Sequence, residues 1–186
     1  MNLHLSTKEI TLVGLCTALM AVFSQITIPL PFTPVPMTLQ IFGIVLISVI
    51  LEHKLSTLTL IVYILLGTIG IPVFSGFSGG FGVITGPSGG YIWGFVLLAF
   101  LVGFGSYKKN RVLLYALSFS GVMIDLILGA VQLKYVAAMS MNSAIAGGIL
   151  PFIIKDTDTV FIAIFIGYQI KPRLSFILGG RNNAAY

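Results

Sequence analysis

Polar residues are sparse along this chain, and the apolar runs between them predict its elements. Runs from about Ile10 to Ile28, Met37 to Leu51, Leu55 to Ile69, Tyr91 to Gly105, Val112 to Leu133 and Asp156 to Ile170 each read as a helix. They are apolar on all sides, the pattern of helices buried in a core or in lipid. None has the period-2 alternation of strands in a lipid-facing barrel. The breaks differ in kind. The first is IPLPFTPVP, where Pro29, Pro31, Pro34 and Pro36 preclude regular helix. The polar turn Glu52-His53-Lys54, the basic turn SYKKNR and Lys171-Pro172-Arg173 close other runs. Gly70 to Tyr91 reads GIPVFSGFSGGFGVITGPSGGY, with eight glycines in 22 residues. Glycine costs a helix about 1 kcal/mol relative to alanine, so this stretch predicts a loop.

Composition names the solvent. Hydrophobic residues make up 57% of the chain and charged residues 8%, against about 25% charged in soluble domains. Spans need about 20 apolar residues each, so the 186 residues predict an all-α integral membrane protein of six transmembrane helices. No linker or low-complexity segment interrupts residues 1–186, and a single domain is expected.

The net charge of +5 comes from scattered residues with no basic stripe, so nucleic acid is not expected as a partner. Orientation explains it better. With alternating spans, Lys8, Lys54, Lys108, Lys109, Arg111, Lys171, Arg173 and Arg181 share one side, and only Lys134 and Lys155 lie on the other. Positive residues favour the cytoplasm, which predicts cytoplasmic termini in a multi-pass protein of the plasma membrane. Three irregular connections then fall on the outer face: Pro29 to Pro36, Ile71 to Gly90, and Lys134 to Lys155. A binding site beneath them is the natural inference.

Several chemistries find no support. There is no GxxxxGK[ST], and the glycine run does not match GxGxxG after a strand, so ATP hydrolysis by this chain is not expected. Cys16 stands alone, and His4 and His53 lie at cytoplasmic ends, which disfavours metal binding and nucleophile–base catalysis. Of five acids, Glu9 and Glu52 read as solvated helix ends. Asp156 and Asp158 either cap the last helix or, with Lys155 beside them, meet a polar ligand. Asp125 lies mid-helix, where an ionisable group is a functional candidate or a protonated acid bonded to a neighbouring helix. A membrane enzyme using Asp125, Asp156 and Asp158 is the rival reading. Gly14, Thr17, Ala18 and Ala21 are small residues spaced for close helix approach, either within the bundle or to a partner.

Three segments together carry a family likeness. IPLPFTPVPMTLQ, GTIGIPVFSGFSGGFGVITGPSGGYIWGF and GGILPFIIKD resemble the BioY family, from about Leu12 to about Gly167. Its members are the biotin-specific substrate-binding (S) components of energy-coupling-factor (ECF) vitamin transporters. The resemblance implies a six-helix S-component fold and biotin captured from outside, beneath the loops after the first, third and fifth spans. It implies no enzymatic activity and no cofactor. Transport would need a separate transmembrane coupling protein and two ATPases, besides the surrounding lipid. Gly14, Thr17, Ala18 and Ala21 would contact the coupling protein.

Biotin has two ureido N–H donors, one carbonyl acceptor, an apolar thioether ring and an aliphatic tail. Asp156 suits the N–H groups, Gln40 or Tyr91 the carbonyl, and Phe74 and Trp93 the ring walls. Gly79, Gly80, Gly86 and Gly90 would allow close backbone approach, and Thr33 would reach in from the proline-rich loop. The family's last segment reads PF-x-x-G-D with a lysine three residues further on. Here Pro151, Phe152 and Asp156 match, but Lys155 takes the glycine position and Thr159 the lysine position. Lys155 is then the substitute partner for the vitamin's carboxylate.

Overall fold

The computed structural model describes residues 5–177. His4 and Arg181 lie outside the described residues. Helix α1 (Thr7–Gln25) starts at a capping box: the Glu9 amide donates to Ser6 Oγ at 3.3 Å and the Ser6 amide to Glu9 Oε2 at 2.8 Å. This satisfies two donors at the helix start, so Glu9 is a cap and not a loosely solvated charge. The helix stops three residues short of the expected Ile28. Thr27–Ile28 (β1) instead pairs antiparallel with Met37–Thr38 (β2). The four prolines occupy the loop of this short hairpin, where their missing N–H groups break no ladder.

Helix α2 covers Gln40–Thr68 but is bent at Glu52, whose φ of 61° and ψ of −178° are not helical. The bend reverses the chain. Gln40 Nε2 donates to Tyr63 Oη at 3.0 Å, whereas a straight helix would separate these residues by about 34 Å. The expected second and third spans are therefore two antiparallel legs joined by one residue. At this bend the Glu52 side chain pairs with Lys171, whose Nζ lies 3.0 Å from Oε1.

The glycine-rich segment is less irregular than its composition suggests. It holds a 3-10 turn at Ser75–Phe77 and a short helix α3 (Phe81–Thr85) before α4 (Gly89–Tyr107). Helix α5 (Arg111–Val136) is capped by Asn110. The connection after it contains α6 (Met141–Gly148), a helix where the sequence predicts an irregular connection. Helix α7 (Leu150–Ile177) begins six residues before the expected Asp156. Pro151 is tolerated in its first turn, where no backbone N–H is needed. Asp156 and Asp158 are thus helix-interior residues, and the capping reading does not hold for either.

Six long rods result: α1, the two legs of α2, α4, α5 and α7. Among the described residues α1, α2, α4 and α5 are long and apolar enough to cross a membrane. Helix α4 is central, packed on α2 and α5. Gly90 sits against the Leu128 carbonyl and Gly94 against Asp125, leaving no space for a Cβ at either position. The seam between α4 and α5 is correspondingly tight. One end of the bundle carries the hairpin, the glycine-rich segment and α6. The opposite end carries the bend at Glu52 and the Lys171 contact to Ser106 Oγ at 2.9 Å.

Candidate functional site

The loop end covers a cleft between α2, α4, α5 and α7. Ile41, Phe74, Tyr91, Phe95, Leu126 and Phe152 give it an apolar wall. Asp125, Lys155 and Asp156 bring three ionisable groups to the same space, and Thr38, Gln40, Ser75 and Ser88 add neutral polar ones. Its free space is about 550 Å³ including the open mouth, of which about 50 Å³ admits the centre of a water molecule. The interior is narrow as it stands. A second, wider cleft, with about 890 Å³ of free space including its open mouth, lies nearer the hairpin and shares Pro36, Ser75, Val83 and Ser88 with the first. The two adjoin at these shared residues.

The polar groups are positioned by their own bonds. Lys155 Nζ lies 2.5 Å from Asp156 Oδ1 and donates to the Thr38 carbonyl at 2.8 Å, tying α7 to the hairpin. Asp156 is 1% exposed. Burying a carboxylate without a partner is very costly, and the adjacent ammonium offsets that cost. Thr38 Oγ1 donates to Gln40 Oε1 at 3.0 Å, and Tyr63 Oη passes the chain on to the Val73 carbonyl at 2.9 Å. A continuous hydrogen-bonded row therefore links the hairpin, both legs of α2 and the glycine-rich segment.

That segment is pinned from two sides. Ser24 Oγ donates to the Val73 carbonyl at 2.6 Å, and Gln25 Nε2 to the Phe74 carbonyl at 3.1 Å. The Phe77 amide donates to Gln25 Oε1 at 2.8 Å. From α5, Gln132 Nε2 donates to the Ile84 and Gly86 carbonyls, both at 2.8 Å. Ser24, Gln25, Tyr63 and Gln132 were not singled out from sequence. Each is a polar residue in a largely apolar helix, Ser24 and Gln25 side by side, and that was their only available signal.

Of the residues expected at the site, Asp156, Lys155, Gln40, Tyr91 and Phe74 line the cavity. The Tyr91 hydroxyl, however, donates to the Gly148 carbonyl at 2.7 Å. Its proton is committed, and the ring is what faces the cleft. Trp93 does not wall the cavity: it is 53% exposed on the outside of the bundle. Two residues along a helix turn the side chain about 200° from Tyr91, which carries Trp93 to the opposite face. Gly86 lines the outer cleft only. Gly90 packs against α5, and Gly79 lies against the Ile71 carbonyl. Gly80 caps α3 with φ of 97° and donates its amide to the Gly67 carbonyl at 2.7 Å. Gly79, Gly80 and Gly90 shape the fold around the cleft instead of lining it. Thr33 is also outside the cavity, with its Oγ1 accepting from the Val35 amide at 3.3 Å.

Asp158 is exposed, away from the cavity, so the three acids of the rival enzyme reading do not converge. On α1, Gly14 and Ala18 are exposed and Ala21 is half-buried. Thr17 points inward, its hydroxyl donating to the Thr59 carbonyl at 3.4 Å, and is not available to a partner. No cluster of three or more metal-ligating side chains occurs among the described residues.

This arrangement is that of a multi-pass membrane protein with a cleft beneath its loop end. The chain belongs to the BioY family, which it matches over residues 1–176. Among its relatives, the probable biotin transporter BioY of Pyrococcus horikoshii is 38% identical over 164 residues, covering 88% of this chain and 96% of that protein. The biotin transporter BioY of Thermotoga maritima is 38% identical over 165 residues, covering 88% and 96%. A crystal structure of the S component for biotin from an ECF-type ABC transporter superposes with a TM-score of 0.82 at 26% identity, covering 92% of this chain and 95% of that one. The six-rod bundle is thus the S-component fold, and the protein is a transporter subunit rather than an enzyme.

Proposed function

We propose that this chain is the biotin-binding S component of an ECF-type importer. The observation that carries the reading is the cavity itself. It is an apolar slot with an acceptor, Asp156, buried at one wall and fixed there by Lys155. Sites of this composition suit a small apolar ligand oriented by a few polar contacts. Asp156 accepts from the ureido N–H groups, the free N–H of the Gln40 amide serves the carbonyl, and Phe74, Tyr91 and Phe152 flank the rings. The narrow interior requires the pinned glycine-rich segment to shift as the ligand enters.

The loop end faces outward and the Glu52 end faces the cytoplasm of the cell membrane. Lys8, Lys54, Lys108, Lys109, Arg111, Lys171 and Arg173 belong to the Glu52 end, against Lys134 and Lys155 at the other, which supports this orientation. A coupling protein packs on α1 at Gly14 and Ala18, where a second helix can approach closely, and two ATPase subunits drive uptake. Uptake of labelled biotin by biotin-auxotrophic cells expressing the chain with an ECF module tests the reading. It predicts saturable uptake that is lost in Asp156→Asn; uptake equal to that of empty-vector cells contradicts it.

A further inference from the structure

The short turn between α4 and α5 concentrates positive charge at the Glu52 end of the bundle. It reads Lys108-Lys109-Asn110-Arg111, and all four residues are exposed. The acids of that end are engaged elsewhere: Glu52 pairs with Lys171, and Glu9 closes the cap of α1. No described carboxylate pairs with Lys108 or Arg111. Both cations are laid on aromatic rings instead. Lys108 Nζ lies 5.3 Å from the centre of the Phe104 ring, and Arg111 Cζ lies 5.6 Å from that of Tyr168. Such contacts fix the direction of a long side chain and leave its N–H groups to meet an anion.

Arg111 also heads an aromatic strip. Helix α5 packs chiefly on α4 and α7 chiefly on α2, so α5 and α7 meet edge to edge. Tyr115 and Phe119 follow Arg111 at four-residue steps and share its face of α5. From α7, Phe161 packs on both, with ring centres 5.3 Å and 5.5 Å away. Phe161 is nonetheless 48% exposed, and Phe165, one turn nearer Tyr168, is 65% exposed. From Arg111 to Phe119 the helix rises about 12 Å, close to the ~15 Å depth of one leaflet's hydrocarbon. A cation above an apolar strip of that depth matches the headgroup and acyl chain of one lipid. Helix α1 packs on α2 and has no comparable contact with α5 or α7, so a coupling protein seated on α1 leaves this edge facing lipid.

We propose that the α5–α7 edge headed by Arg111 is a binding site for an anionic phospholipid, with the phosphate on the Arg111 guanidinium and one acyl chain along Tyr115, Phe119 and Phe161. The planar guanidinium donates two parallel N–H groups to a phosphate. Lys108 and Lys109, in the same turn, favour a headgroup of net negative charge over a zwitterionic one. Each cation close to a membrane surface strengthens the attraction to anionic lipid by about fivefold. The site lies at the opposite end of the bundle from the ligand cavity and works independently of what that cavity holds.

Native mass spectrometry of the purified full chain in detergent, with equimolar phosphatidylglycerol and phosphatidylcholine of identical acyl chains, tests this. The first lipid retained is expected to be phosphatidylglycerol, preferred at least about fivefold. Arg111→Gln is expected to cut that preference about fivefold. Lys8→Gln removes the same charge from α1 at the same end of the bundle and is expected to leave the preference within about twofold. Glycerol 3-phosphate in large excess is expected not to displace the lipid, because it carries the phosphate without the acyl chain. Equal retention of the two lipids by the native protein overturns the proposal. So does an equal loss in Arg111→Gln and Lys8→Gln, which would mean diffuse surface charge and no defined site. Displacement by glycerol 3-phosphate overturns it as well, since the aromatic strip would then contribute nothing. The native-protein measurements stand whether or not Arg111→Gln folds, and its melting temperature reports that directly.

Discussion

At the scale of single residues, the account turns on an acid and a base adjacent in sequence. On a helix Lys155 and Asp156 point about 100° apart, yet the flexible lysine stem brings Nζ back to the carboxylate and on to the Thr38 carbonyl. Asp156→Asn removes the charge-assisted acceptor and leaves Lys155 half-buried without its anion. Biotin affinity is expected to fall at least about tenfold, measured by calorimetry with the melting temperature as a check on folding. Trp93→Ala is expected to leave affinity within about twofold, since the indole faces away from the cleft and isolated surface changes are usually small. Those two side chains also show how far residues were legible. Asp156 and Lys155 stood out because charge is rare in this chain, whereas the face that Trp93 occupies depends on a helix phase that its apolar surroundings do not reveal. Asp125 was conspicuous for the same reason as Asp156, but its place at the cavity wall is a fact of three-dimensional packing.

At the scale of elements, the glycine-rich segment is a folded unit anchored by a few bonds. Gly80 adopts φ of 97° and ψ of 162° while its amide closes onto Gly67, a conformation open essentially to glycine alone. Gly80→Ala is expected to destabilise the protein by about 1–3 kcal/mol and to weaken biotin binding, read as a lower melting temperature and a higher Kd. Gln132→Ala removes both clamps from α5 to the Ile84 and Gly86 carbonyls. It is expected to speed proteolysis within residues 82–88 in the ligand-free protein, with biotin restoring protection. The sequence located this segment but not its internal turns, because glycine and aromatic residues carry no periodicity. Helix boundaries were misjudged for similar reasons. β1 pairs across a proline loop, and the start of α7 is set by a proline that helices accept in their first turn. The reversal at Glu52 was expected as a polar turn, and a single left-handed residue accomplishes it.

At the scale of the whole molecule, polarity between the two ends organises the protein. Apolar run lengths made the number of rods readable, and the unequal share of lysine and arginine carries the proposed direction. The placement of α4 at the centre was not readable, since it follows from glycines that admit α5 and from the fold-back of α2. A partner on α1 leads to a separable defect. Ala18→Trp adds bulk on an exposed face and is expected to preserve biotin binding while abolishing ATPase-driven uptake; loss of both together would place Ala18 in the bundle's own packing. Orientation is checked by cysteine accessibility in a Cys16→Ser background. Ser78→Cys is expected to react with an impermeant reagent outside intact cells, and Lys109→Cys only after permeabilisation. The central claim is that the cleft beneath the loop end holds biotin. Equilibrium titration of labelled biotin against the purified chain, with a panel of other vitamins as competitors, tests it most directly. The account predicts saturable binding at one site per chain, displaced by biotin and not by the other vitamins; no saturable binding by folded protein, or displacement by a different vitamin, contradicts it.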